Sequence, residues 1–502
     1  MAEVTGAGGA RESNGTAWSL VSELFSIPLG EDRFLIYAPL QHSAFIGNGE
    51  VARRIELLQR SEAPLDEPDP WLAGLFQLLT MLGMVRRGPE IPPIRRSMGE
   101  PQPLSVTLFL TNACNLRCRY CYASSGEFAP KSMTLRTARN GIDFVFRNAA
   151  ARHADRVHVG YHGGGEPSLN WPVLTASTAY ARECAAQQAV RLNVSLATNG
   201  MLSDDRIDWV VANVSGATVS FDGIPELQDQ NRLTIDGQPS SSRVMHTMRR
   251  FDEAGFHYGI RATVLADQVE RLPESVEFIC ANLRVRSIQV EPVYPLGRGG
   301  ATEAADAEAF VKSFREARAR AEKHGRKLRF SGARLGSVSN HFCSATSDSF
   351  CLSPDGNVTS CFEAFSEDAP LASVFFYGRP GAAPATYEFD HQVLSALRAR
   401  GVENRAYCRE CFAKWNCAGD CLYKVLTASG GGEPGGAGRC RIIRELTKDL
   451  ILKKLADSGG LAWHGRHAAT VTCSREQSLE RAEFIPAAGA APRVLEQVGP
   501  QL

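Results

Sequence analysis

Apolar positions give the first map of this chain. Leu104–Leu110, Val157–Tyr161, Arg191–Ala197, Ala217–Asp222, Tyr258–Val264 and Ser287–Pro292 are short runs rich in aliphatic and β-branched residues, most of them flanked by turn formers. Such runs predict strands, and the stretches between them predict helices. Strand and helix in alternation predict parallel α/β architecture. Six such units make a partial barrel rather than a closed eight. Earlier in the chain, Arg33–Pro39 and Ser43–Ile46 predict two strands joined by a turn, and Glu50–Leu58 and Trp71–Val85 predict helices. Arg86–Pro103 contains five prolines and predicts a linker. Residues 303–326 predict one amphipathic helix, and Arg441–Leu455 another.

A length of 502 residues admits two or three domains. The pattern divides it into a disordered start at 1–18, a small module and linker at 19–100, the barrel at 101–302, a helix with a cysteine-rich domain at 303–456, and a loose tail at 457–502. Lysine plus arginine balances aspartate plus glutamate at 55 each, so the composition argues against a nucleic-acid partner. There is no apolar run of transmembrane length and no secretory signal at the start, which predicts a cytoplasmic protein without a membrane partner. In that compartment fourteen cysteines are not a disulfide framework. Cys184, Cys280 and Cys473 stand apart and read as ordinary thiols. The other eleven fall into spaced groups, which points to metal.

Cys114, Cys118 and Cys121 follow the first barrel strand at C-x3-C-x2-C spacing, with Tyr120 before the last thiol. A short loop can turn three thiolates toward one point, where they select an iron–sulfur cluster or zinc. The next strand exits into Gly163-Gly164-Gly165-Glu166-Pro167. Its glycines permit close backbone approach to a ligand, and Glu166 can accept from an ammonium. A second field holds Cys343, Cys351, Gly356 and Cys361, then Cys408-x2-Cys411-x5-Cys417-x3-Cys421, and finally Cys440. Two zinc ribbons are the competing explanation for that order.

These motifs resemble the radical S-adenosylmethionine (radical SAM) enzymes that carry a SPASM domain, over roughly residues 104–445. The resemblance implies an α/β fold: a partial (β/α)6 barrel, an N-terminal winged-helix-like module and a C-terminal cysteine-rich domain. It implies that Cys114, Cys118 and Cys121 hold a catalytic 4Fe–4S cluster whose open iron takes S-adenosyl-L-methionine. The electron delivered there releases a 5′-deoxyadenosyl radical. Gly164, Gly165 and Glu166 would contact the cofactor's amino group, with Tyr120, Ser195, Asn199 and Ser220 also beside the cofactor. The stretch Ser220-Phe-Asp-Gly223, with Asp229 and Arg232, looks like the subgroup with extra clusters, although Gln228 stands where many relatives have histidine. Carried over by position, Cys343, Cys361 and Cys421 fall on one auxiliary 4Fe–4S cluster. Cys408, Cys411, Cys417 and Cys440 fall on another. Cys351 is an eighth cysteine at unusual spacing, with ligation to the first auxiliary cluster left open.

The expected activity is therefore that of a peptide maturase. It would abstract hydrogen from a ribosomally made precursor peptide and so lead to a crosslink or other modification. The N-terminal module would hold the peptide as an added strand. A flavodoxin or ferredoxin would supply the electron. Formylglycine formation, dehydrogenation of a small molecule, and a non-enzymatic iron–sulfur scaffold or sensor are the alternatives. Asp222, Glu291 and Tyr161, placed at strand ends, are the candidate bases.

Overall fold

The computed structural model describes residues 18–60, 70–88, 90, 94, 98–301, 303–428 and 438–465. Of the disorder expected at 1–18, residues 1–17 lie outside those residues, as do most of the glycine-rich loop at 430–438 and the tail from 466, whereas Trp18 opens a strand whose hydrogen bonds to a partner strand order it. Contacts divide the chain into two compact units: residues 1–94 with 448–472 and 479–502, and residues 95–447 with 473–478.

In the first unit, strands β1 (Trp18–Leu20), β2 (Phe25–Gly30), β3 (Arg33–Ala38) and β4 (Ser43–Asn48) precede helices Gly49–Arg60 and Pro70–Met81 and strand β5 (Val85–Arg87). Ile36, Ala38 and Phe45 bury one sheet face together with Val51 and Ile55 of the first helix and Leu75 and Leu79 of the second. The expected helix over Trp71–Val85 stops at Met81. Gly83 adopts φ +66°, and the chain turns into β5, which pairs with β1. A glycine in that left-handed region is the common way to end a helix.

The second unit is built on one eleven-stranded sheet. Strands β6 (Ser105–Phe109), β7 (Arg156–His162), β8 (Arg191–Thr198), β9 (Gly216–Ser220), β10 (Tyr258–Val264) and β11 (Ser287–Pro292) are parallel neighbours in chain order. All six lie where the apolar runs predict strands. A short seventh strand, β12 (Lys327–Arg329), joins β11 after helix Ala307–Lys323. Even-spaced apolar residues such as Val157, Val159 and Tyr161 face the helical layer and are fully buried.

Beyond β6 the sheet continues. β13 (Cys351–Leu352) pairs in parallel with β6, followed by the antiparallel strands β14 (Val358–Thr359), β15 (Phe376–Pro380) and β16 (Tyr387–Phe389). The cysteine-rich segment thus extends the same sheet, which nothing in the cysteine spacing announces. The outermost strands β12 and β16 are the two ends of the sheet, so it stays open.

One further strand lies in the segment expected to be a loose tail. Helix Gly438–Asp457 leads to β17 (Ala462–His464), which pairs antiparallel with β4 at the edge of the first unit's sheet. No helix among the described residues is long and apolar enough to cross a membrane.

Candidate functional site

The cysteine loop leaves β6 and is held on three sides. Backbone bonds join Arg117 N to Leu233 O (2.7 Å), Arg119 N to Asn231 O (2.9 Å) and Ile235 N to Asn115 O (3.0 Å). On another side the Arg298 backbone donates to Cys121 O, and its guanidinium donates to Cys118 O (3.0 Å) and Ser125 O (2.9 Å). Arg298 lies 180 residues from Cys118, and no local signal in the sequence marks it.

The third side is the exit loop of β7. Glu166 N donates to Ala113 O at 2.9 Å. A Cβ on Gly165 would lie 2.2 Å from Ala113 O, and one on Gly164 would run into the Phe365 ring at 2.3 Å. These two glycines therefore meet protein rather than open space. Gly165 lets the two loops touch, and Gly164 receives a ring from the segment after Cys361. Because the Gly165 clash is with backbone, the Gly165→Ala chain is expected to lose about 1–3 kcal/mol of stability. It should also retain less iron after reconstitution, read by metal analysis and a thermal scan. Unchanged iron and melting temperature would contradict the close approach.

Two of the three thiols have donors beside them: Leu116 N and Asn199 Nδ2 stand 3.4 and 3.7 Å from Cys114 Sγ, and Arg232 Nη1 3.9 Å from Cys118 Sγ, while Cys121 Sγ itself donates to Ser125 Oγ at 3.6 Å. Burial pushes the Cys114 thiol up to about 12 and Cys118 to about 11. Thiols so placed are neutral at pH 7 unless a metal brings positive charge to them. The surrounding donors then stabilise the anionic sulfur. This donor set fits a thiolate-bound cluster.

Glu166 is buried and acts as a brace. Its carboxylate accepts from Asn199 N (2.7 Å), Thr198 Oγ1 (2.9 Å) and Ser168 N (3.1 Å), tying the end of β7 to the end of β8. Burial raises its carboxyl against those bonds. Asn199 reaches back to Asn115 at 2.8 Å, beside the first thiol. Tyr120 donates to the Asp222 carboxylate at the end of β9, and Arg232 forks onto the same carboxylate with two 3.1 Å bonds. Gln228, fully buried, accepts from Asp222 N, and Asp229 caps the helix starting at Ser241. Ser195 bonds His158 at 2.9 Å; with Thr107 these two side chains converge on Gly160, whose Cβ would lie 3.2–3.3 Å from all three. Ser220 ends β9 opposite Arg261 of β10. The sheet face opposite the helical layer is thus polar from β6 to β10.

The later cysteines gather into two sets. Cys361 is influenced by Cys421 and Cys343, and Cys421 by Cys343. Cys408 feels Cys411 and Cys440, Cys417 feels Cys440 and Cys408, and Cys440 feels Cys411. Burial pushes Cys421 and Cys408 up to about 12 and raises Cys361, Cys411, Cys417 and Cys440 as well. Ala418, Gly419 and Asp420 all have positive φ (54°, 79° and 64°). This reversal sends Cys417 to one set and Cys421 to the other within four residues. Among the described residues no three His, Cys, Asp or Glu groups converge on a single ion-sized point. A 4Fe–4S cube takes each thiolate on a different iron and asks for a wider set. Cys351 has another setting. It is fully buried in β13, opposite Thr107 and Thr359, in an apolar cluster with Phe109, Ala123 and Phe365.

Of the candidate bases, Tyr161 faces the helical layer, where its hydroxyl meets Ser177 (2.8 Å) and Thr178 (2.7 Å). Glu291 is buried; desolvation alone would raise it, but Arg439, Lys424 and Arg261 together hold it at about 2. Asp222 is paired with Arg232. Sequence reasoning overlooked Glu363. It stands among Cys361, Cys421 and Tyr122, and its Oε2 is buried without a hydrogen-bond partner. Next to it, Phe362 stacks on His162 at 4.5 Å, at the exit of β7.

Comparison with known proteins gives a consistent picture. The profile of the radical SAM superfamily matches residues 108–279. The sporulation killing factor maturation protein SkfB of Bacillus subtilis is 29% identical over 283 residues, 54% of this chain and 62% of that protein. The mycofactocin maturase MftC of Mycolicibacterium smegmatis is 26% identical over 213 residues, 40% of this chain and 47% of that one. The chain thus spans about half to two thirds of these two relatives' length. Among solved structures, anSMEcpe with bound AdoMet superposes with a TM-score of 0.58 at 16% identity, covering 71% of this chain and all of that one, a likeness of fold.

Proposed function

We propose, since this chain belongs to the radical SAM superfamily, that it is a maturase acting on a ribosomally made peptide. The observation that carries the reading is the three-thiol loop, with hydrogen-bond donors at Cys114 and Cys118 and the β7 exit loop pressed against its backbone. Cys114, Cys118 and Cys121 would hold the 4Fe–4S cluster. When bound, that cluster and S-adenosyl-L-methionine supply a carbon radical able to take hydrogen from an unactivated position. Glu166 braces the wall of this site, and Tyr120, Asp222 and Arg232 fix its far side. Ser195, Ser220 and Asn199 would offer polar groups to the cofactor, and Gly164 and Gly165 the close backbone. Cys343, Cys361 and Cys421 would hold one auxiliary cluster, and Cys408, Cys411, Cys417 and Cys440 the second, with a flavodoxin or ferredoxin as electron donor. Rings such as Phe109, Tyr122, Phe362 and Phe365 exclude water near the first loop, which protects reactive species. The names of SkfB and MftC as maturation proteins support a peptide substrate.

Anaerobic reconstitution tests the reading. Iron of roughly twelve per chain, as three four-iron clusters require, with 5′-deoxyadenosine formed under dithionite, is the expected result. Zinc in place of iron, or a fully loaded protein that forms no 5′-deoxyadenosine, would overturn it.

Glu363 supplies a narrower prediction. Its unbonded oxygen can accept from a substrate N–H or O–H beside Tyr122. Glu363→Gln should leave cleavage of S-adenosylmethionine in place and lower peptide modification roughly ten- to hundredfold, the worth of one charged hydrogen bond. Equal losses in both rates would place Glu363 in support of the cofactor instead.

A further inference from the structure

The sheet of the first unit runs β17-β4-β3-β2 and has two edges of different quality. The β2 edge is blunted: Pro28 has no N–H, and the register shifts between Pro28 and Gly30. Proline and irregularity are common ways to disable a strand edge. The β4 edge has neither device over Ser43–Asn48 and is a regular template. What covers it is three residues of the chain's own far end. Ala462, Trp463 and His464 face Phe45, Ala44 and Ser43, with flanking bonds from Ile46 N to Leu461 O (3.0 Å) and from Gly465 N to His42 O (2.8 Å).

The cover is short and follows a glycine pair that ends the preceding helix. Gly459 and Gly460, at φ +97° and +93°, separate it from helix Gly438–Asp457. Leu461 is left largely exposed. Ala462 packs on the apolar cluster, and His464 Nδ1 meets Ser43 Oγ at 2.5 Å. Trp463 alternates to the opposite face.

The resemblance already implies that this module holds a peptide as an added strand; we propose that residues 462–464 occupy the β4 edge as an internal competitor until such an extended peptide displaces them. The incoming strand would carry a small apolar residue in the place of Ala462. Two positions on, a side chain able to bond the Ser43 hydroxyl would take the place of His464. Backbone pairing supplies the affinity, and these two alternate positions supply the selection. That the incoming strand belongs to the substrate rests on the peptide-maturase reading; the exchange at the edge does not.

The test uses the full chain and, as probe, a fluorescein-labelled synthetic peptide with the sequence of residues 458–466. Trp463→Pro removes the amide opposite Ala44 from the internal strand. The probe is expected to bind the Trp463→Pro protein at least about tenfold more tightly than the wild type, because the edge is no longer shared. A probe carrying the same proline should bind neither. In the wild type, saturating probe should speed hydrogen exchange of 461–465 while 43–48 stays protected. If Trp463→Pro impairs folding, this exchange result decides alone. Equal affinity for both proteins, or unchanged exchange at 461–465, would overturn the proposal. The readouts involve neither iron nor S-adenosylmethionine, so failure of the radical reading would show separately.

Discussion

The Cys118→Ala chain is expected to form no 5′-deoxyadenosine while retaining roughly eight of about twelve irons, if three four-iron clusters are present. The reason lies in how the thiols are distributed. Cys118 shares its loop with Cys114 and Cys121, and that loop is held largely through backbone, by residues 231–235, Arg298 and Glu166. Alanine keeps those carbonyls and amides in place, so the loop should keep its path while losing one ligand. The Arg232 guanidinium, 3.9 Å from the lost sulfur, remains anchored on Asp222. The seven thiols of the two later sets lie in other segments and do not depend on Cys118. Iron counts, electron paramagnetic resonance of the reduced protein and chromatography of the nucleoside together check the result. Persistent cleavage would show that Cys118 is not a ligand. Loss of all iron would show that the three thiol sets are not independent.

Arg439→Met should cost about 3–5 kcal/mol of stability, the toll of leaving buried charge unpaired. Arg439 sits at the join of the barrel and the cysteine-rich segment. Its guanidinium reaches Asp420 Oδ2 at 2.6 Å, Glu291 Oε2 at 3.0 Å and Ser331 Oγ at 3.0 Å, and lies over the Phe330 ring at 4.8 Å. All three charged side chains are about 5% exposed, so solvent cannot replace the lost partner. Methionine restores much of the volume and none of the charge, so Asp420 loses its ion pair and Glu291 the first of its three cations. Asp420 is the more sensitive, since its Oδ1 is already without a hydrogen bond. It also holds the left-handed turn between Cys417 and Cys421. The variant should therefore lose iron from the later sets as well as melting at lower temperature. Glu291→Gln is expected to be milder, because Arg439 keeps Asp420. A loss below about 1 kcal/mol for Arg439→Met, the range of exposed pairs, would refute the account.

Local pattern carried much of this protein in the sequence itself. Each of the six main barrel strands is a short run with enough apolar residues to bury the face it turns to the helices, and alternation with helical stretches makes it a parallel strand. The cysteine loop and the Gly163–Glu166 exit loop are likewise legible, because their chemistry lies within a few consecutive residues. Tertiary structure decided what depends on partners far along the chain. Gly164 and Gly165 are legible as places of close approach, but that the Phe365 ring and the Ala113 backbone lie where their Cβ atoms would stand is not. Tyr161 and Glu291 both end strands. One faces helices and the other an arginine 148 residues away, a difference that only sheet parity and long-range packing set. The continuation of the barrel sheet through Cys351 and the seating of Ala462–His464 on β4 have no local signature either. Strands of two or three residues are too short to show a period, and they exist because a neighbouring edge supplies their hydrogen bonds.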